Sequence, residues 1–241
     1  MSALVPSVEQ TLRLLRDGEL EVQGRLVEAS NATLYCTVTL DGETATCVHK
    51  PVAGERPLWD FPDGTLAARE VAAYEVSVAT GWDLVPPTVH RDGPFGPGMC
   101  QLWVDVDETV DLVQLARSDR RDLRRLAVLD AVINNADRKG GHLLPTPDGR
   151  VYGVDHGVCF AADNKLRTLL WQWSNDRLPA EAVEVLRRLR ADLDRQLGAR
   201  LGELLTRKEL QATRRRVDRL LSTGRYPQPG SDWPAVPWPP F

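Results

Sequence analysis

Two acids and a histidine crowd the middle of the chain, in Asn134-Asn135-Ala136-Asp137-Arg138-Lys139-Gly140-Gly141-His142 and in Val151-Tyr152-Gly153-Val154-Asp155-His156-Gly157. Asp155 ends a short apolar run and precedes Gly157, so its carboxylate can project while glycine lets the chain turn sharply. Asp137 and His142 stand five positions apart across two glycines, a spacing that lets one loop bend both side chains toward a point suited to a metal ion. Phosphoryl transfer uses such parts: carboxylate-bound cations that neutralise phosphate oxygens, a carboxylate that positions the acceptor hydroxyl, and a lysine that holds the non-transferred phosphates. Upstream, Lys50, at the end of an expected strand, is the candidate for that lysine.

The elements that must position these residues are legible in outline. Ser7 and Gln10 have capping-box spacing, and Val8, Leu12 and Leu15 recur at helical intervals up to Gly18. Three strands follow at 20–27, 33–40 and 44–50, the last two joined by Asp41-Gly42, a strong hairpin signal. A Pro-, Gly- and Trp-rich loop at 51–64 precedes a helix over 65–80 that stops at Gly81. Two short strands are expected near Val89 and at 100–104, with the turn spread from Asp92 to Gly98. From Ser118 the periodicity is helical and runs into Asn134-Asn135. A loop at 136–149 and a short strand at 151–154 come next, then helices over 180–197 and 206–221. The tail from Tyr226 to Phe241 is rich in proline and tryptophan and is expected to pack on the helical part. This is an α+β pattern, divided here as a small β lobe with one helix, 1–104, and a mainly helical lobe, 105–241.

Asp137-Arg138 with a ligand-type residue five positions on resembles the catalytic loop of the phosphatidylinositol 3-/4-kinases, and Asp155-His156-Gly157 resembles their metal-binding Asp-Phe-Gly. Protein kinases and the HipA-type and secretory-pathway kinases share this layout. The resemblance covers roughly 20–160 and implies a two-lobed protein-kinase-like fold that binds ATP and Mg2+ or Mn2+ in its cleft. It implies Asp137 as the catalytic aspartate, Asp155 as the principal metal ligand, and His142 in the place of a metal-binding asparagine. That histidine is a departure, since imidazole is a softer ligand that suits manganese or zinc better than magnesium. Lys50 resembles the strand lysine that contacts the α-phosphate, and Glu70 the helix glutamate that pairs with it, with Glu75 the competing partner. The loop with Ser30 and Asn31 would cover the phosphates, and 101–104 would form the hinge beside adenine, bringing in Gln101 and Trp103.

Composition narrows the partners. A formal net charge of -4 disfavours nucleic acid and anionic lipid surfaces. The cysteines (Cys36, Cys47, Cys100 and Cys159) form no CxxC pair, so neither a zinc site nor a disulfide framework is suggested. No signal peptide, spanning helix or stable membrane anchor is visible, and a cytoplasmic location is the expectation. Between Asp155 and Trp171 the only lysine or arginine residues are Lys165 and Arg167, thin provision for an inositol phosphate, so a protein or small-molecule hydroxyl is the expected acceptor. Two other readings stand beside the kinase: a nucleotide-binding pseudokinase with a signalling or scaffold role, and a metal-dependent hydrolase built on Asp137, His142, Asp155 and His156, which assigns nothing to Lys50 or Glu70.

Overall fold

A capping box starts the first helix: Ser7 Oγ accepts from Gln10 N–H, and the Gln10 side chain accepts from Ser7 N–H, opening α1 (Val8–Asp17). The computed structural model describes residues 7–26, 31–231 and 234–241. Strands β1 (Glu19–Leu26), β2 (Thr33–Leu40) and β3 (Glu43–Pro51) follow. Asp41 and Gly42 take φ of 54° and 84° between β2 and β3, the left-handed pair that a two-residue hairpin of twisted strands requires. With β4 (Thr88–Gly93) and β5 (Gly96–Leu102) they form an antiparallel sheet in the order β1-β2-β3-β5-β4. Leu14 and Leu15 of α1 close its core against Cys36, Val38, Cys47, Val89 and Cys100. None of the four cysteines is in a disulfide, and all are buried.

The turn between β4 and β5 is tighter than the Pro/Gly run suggests. Pairing continues to Gly93↔Gly96, leaving only Pro94 and Phe95 to reverse the chain. Gly98 is needed inside β5 because any Cβ there would collide with the carbonyl of Lys50. That close approach sets Lys50 opposite Met99 and Pro51 opposite Gly98.

Helix α2 (Leu66–Thr80) begins on the Glu55 carboxylate, which accepts from the N–H groups of Leu66 and Ala67 and so answers two of the helix's orphan donors. By contacts the chain groups into two compact units, Met1–Val71 with Pro86–Val104, and Ala72–Val85 with Asp105–Phe241. The sequence-based division assigns all of 1–104 to one lobe, whereas 72–85 groups with the second unit. Glu75 pairs there with Arg200, Asp83 with Arg150, and Leu84 O accepts from Gly153 N–H.

The second unit contains α3 (Leu112–Arg117), α4 (Arg121–Ile133), a β6–β7 hairpin (Leu143–Pro145 and Val151–Gly153), α5 (Ala180–Asp192), α6 (Gln196–Leu204) and α7 (Arg207–Thr223). Helix α3 is additional to the sequence reading; Asp111 caps it by accepting from Val113 and Gln114 N–H. The single helix expected over 180–197 is two helices. Gly198 lets α6 fold back on the end of α5, where a side chain would strike the Leu193 carbonyl. A capping box of Thr206 and Glu209 starts α7, and left-handed Gly224 ends it. The tail packs on this unit: Ala235 O accepts from Thr168 N–H and from Trp171 Nε1–H, and Pro240 O accepts from Gly140 N–H at 2.7 Å. Among the described residues no helix is long and apolar enough to cross a membrane.

Candidate functional site

In the first unit, the β3–β5 register presents Lys50 to α2, and its Nζ lies 2.6 Å from Glu70 Oε1. Glu70 is 2 % exposed and Lys50 20 %, so the pair joins a buried carboxylate to a lysine that still reaches solvent. Glu75, the competing partner, is engaged by Arg200 at 2.6 Å within the second unit. Asn31 Oδ1 accepts from Arg56 N–H at 2.9 Å, which ties the β1–β2 connection to the segment after β3; Ser30 lies outside the described residues. Gln101 is buried in β5 and donates to Thr88 Oγ1 at 2.8 Å. Trp103, just past β5, stands edge-on to Tyr35 with ring centres 5.1 Å apart, and its N–H donates to Thr46 O.

In the second unit, α4 ends at Asn134, whose left-handed conformation (φ 55°) turns the chain into the loop of Asp137. The two asparagines then brace that loop. Asn134 Nδ2 donates to Ala161 O and Asp163 O, and its Oδ1 accepts from Lys165 N–H. Asn135 Nδ2 donates to Asp130 Oδ1, and its own Oδ1 accepts from Asp137 N–H. Asp137 Oδ2 lies 3.4 Å from Lys139 Nζ.

Arg138 is the hub of the site. Fully buried, it donates to both oxygens of the equally buried Asp130, to Val154 O at 2.9 Å and to His156 Nε2 at 2.6 Å. It thereby joins α4, the loop of Asp137 and the loop of Asp155. Burial pulls its pKa down, but the charge and hydrogen bonds of Asp130 outweigh that and hold it above its ordinary value.

Val154 N–H donates to His142 O, and His142 Nε2 lies 3.3 Å from Asp155 Oδ2. Asp155 has φ 61°, a conformation that a residue other than glycine adopts at a cost and that clusters at functional positions. Burial lowers the His142 pKa against the attraction of Asp155, and Arg138 adds to the lowering, so the imidazole is neutral at pH 7. Lys139 N–H donates to His142 Nδ1 at 3.4 Å, which leaves the ring proton on Nε2, facing Asp155. In this tautomer His142 braces the carboxylate; to offer Nε2 to a metal it would carry its ring proton on Nδ1 instead and forgo the bond from Lys139 N–H.

Among the described residues no group of three or more His, Cys, Asp or Glu side chains is arranged to hold a metal ion. The His142–Asp155 pair therefore does not fit a resident tetrahedral zinc, which takes three or four protein ligands. It does fit Mg2+ or Mn2+ arriving with a nucleotide, because such a cation fills most of its shell with phosphate oxygens and water.

Sequence reading placed Lys50, Glu70, Asp137, His142 and Asp155 in order but missed the groups that brace them. Asp130 was the available signal: an acid inside the apolar stripe of α4, among Leu126, Leu129 and Ile133, needs a buried cation. Lys139, whose Nζ lies beside Asp137, received no role from the sequence.

No family model matches the chain. Among solved structures, the proinflammatory kinase CtkA of Helicobacter pylori superposes with a TM-score of 0.52, covering 87% of this chain and 97% of that one at 10% identity. The fold is thus kinase-like, an α+β architecture with a five-stranded antiparallel sheet. Phosphatidylinositol 4-kinase gamma 4 of Oryza sativa is 25% identical over 231 residues, covering 80% of this chain; the match spans 40% of the plant protein, well under half its length. Protein Rv2133c of Mycobacterium tuberculosis is 45% identical over 263 aligned residues, covering 95% of this chain and 94% of that protein. At that identity and coverage, the chain belongs to the family of Mycobacterium tuberculosis Protein Rv2133c.

Proposed function

We propose that the protein is an ATP- and divalent-metal-dependent phosphotransferase acting on a protein or small-molecule hydroxyl. The observation that carries this reading is the Lys50–Glu70 pair at 2.6 Å. A hydrolase built on Asp137, His142 and Asp155 has no use for a partly exposed lysine held by a buried glutamate, whereas a nucleotide phosphate does. In this reading Lys50 holds the non-transferred phosphates, and Asp137 positions the acceptor hydroxyl and takes its proton. Asp155 holds the divalent cation, with His142 as ligand or brace. The cation supplies neutralisation of charge on the phosphoryl oxygens. The name of the plant relative raises a phosphoinositide as acceptor, but Lys165 and Arg167 remain the only lysine or arginine residues between Asp155 and Trp171. That scarcity favours a smaller or proteinaceous acceptor.

The test is calorimetric titration of ATP with Mg2+ or Mn2+ into the wild-type protein, Lys50→Met and Asp155→Ala, with ATP turnover followed in parallel. Metal-dependent binding that both substitutions weaken, together with turnover, is the expected result. Binding without turnover would identify a pseudokinase. Absence of ATP binding with either metal would sink both nucleotide readings.

A further inference from the structure

None of the residues assigned above to phosphoryl transfer lines a cavity of about 550 Å³ in the second unit, formed by the C-terminal part of α7, the 164–175 segment and the start of the tail. Arg216, Arg219 and Arg225 line it together with Asn164, Trp171 and Tyr226, and among the described residues no aspartate or glutamate does. Arg219 and Arg225 are exposed. Arg216 is the enclosed member: its Nε donates to Val132 O at 2.9 Å, Nη1 to Ala161 O at 3.1 Å and Nη2 to Thr213 Oγ1 at 2.9 Å. All three partners are neutral, and two of the five guanidinium N–H donors are left over. Burial lowers the Arg216 pKa to about 10, with only weaker opposing pulls from Cys159 and Glu209. An enclosed guanidinium whose hydrogen-bond partners are all neutral has no charge partner in direct contact, and an anion in the cavity would supply one.

We propose that this cavity binds a compact phosphate-bearing small molecule, its oxygens shared among Arg216, Arg219 and Arg225 and its remainder flanked by Trp171. The volume suits a ligand of diphosphate to nucleotide size, and guanidinium forks match phosphate oxygens in pairs.

The test titrates inorganic pyrophosphate into the full chain by calorimetry in EDTA, which removes any metal-dependent nucleotide binding. Expected is saturable, salt-sensitive binding that weakens about tenfold or more in the double variant Arg219→Gln/Arg225→Gln. Both side chains are exposed, so the melting temperature should stay within a few degrees of wild type. Asp155→Ala should bind pyrophosphate as wild type does. A parallel titration with ADP distinguishes nucleotide from free polyphosphate as the natural occupant, and arginine-dependent binding of either supports the site. No saturable binding by wild type, equal affinity in the double variant, or loss of binding in Asp155→Ala would each overturn the proposal. The last outcome would assign the anion to the phosphoryl-transfer site.

Discussion

Arg138 sends its guanidinium to Asp130 on α4, to the Val154 carbonyl and to His156, so one buried cation ties the loop of Asp137 to that of Asp155. Removing one member of such a pair strands the other charge in the interior. Asp130→Ala is therefore expected to cost about 3–5 kcal/mol in urea unfolding, and an unchanged midpoint would show that water reaches Arg138. His142 invites a different substitution. His142→Asn restores an amide oxygen, a hard donor, and should keep turnover while moving its preference from Mn2+ toward Mg2+; His142→Ala should lose turnover with both. Identical metal profiles for wild type and His142→Asn would remove the imidazole from the metal's surroundings. The residues that face solvent or substrate were legible because type, order and spacing reveal them. The Arg138–Asp130 pair was not, because its meaning lies in burial, which two side chains eight positions apart do not declare.

Strand β3 holds Lys50 in register with β5, where the Lys50 carbonyl leaves no room for a Cβ on Gly98. Gly98→Ala should push the strands apart, cost about 1–3 kcal/mol and weaken nucleotide binding through Lys50. Gly24→Ala, where a Cβ meets nothing within 4 Å, is the control. The same strand carries His49, which is fully buried and donates from Nδ1 to Met99 O at 3.0 Å. Burial holds its pKa below the ordinary value of about 6.5, with smaller lowering contributions from Arg91 and His90. The unfolded chain then takes up a proton that the folded chain refuses, so stability is full above that pH and declines as pH falls through it. The melting temperature should drop on acidification from about pH 7.5 to about pH 5.5, and His49→Gln should flatten the slope; an unaltered slope would exclude His49 as its source. Most elements could be read from periodicity and caps, Asp41-Gly42 and Thr206/Glu209 among them. The α5–α6 break could not, since its cause is the packing of one helix end against Gly198 rather than any local breaker.

At the scale of the whole chain, the α+β class followed from the shift from strand to helix periodicity, whereas the grouping of 72–85 with the second unit depends on partners distant in sequence, Arg150 and Arg200. The tail announced itself only by composition, because proline-rich segments have no period to read. Deleting 234–241 removes the acceptors for Thr168, Trp171 and Gly140. At about 1 kcal/mol per hydrogen bond, that should lower the melting temperature by about 2–4 °C for each bond lost and reduce turnover through the loop of Asp137. A truncated protein with wild-type turnover would show that the loop holds its shape alone. Synthesis order gives this contact a further meaning. The ribosome delivers every residue assigned to phosphoryl transfer well before Pro240 emerges, so a nascent chain stalled short of Ala235 leaves the Gly140, Thr168 and Trp171 donors to water. In synthesis order, the brace on the loop of Asp137 is thereby added only after every helix and strand of the second unit has been made.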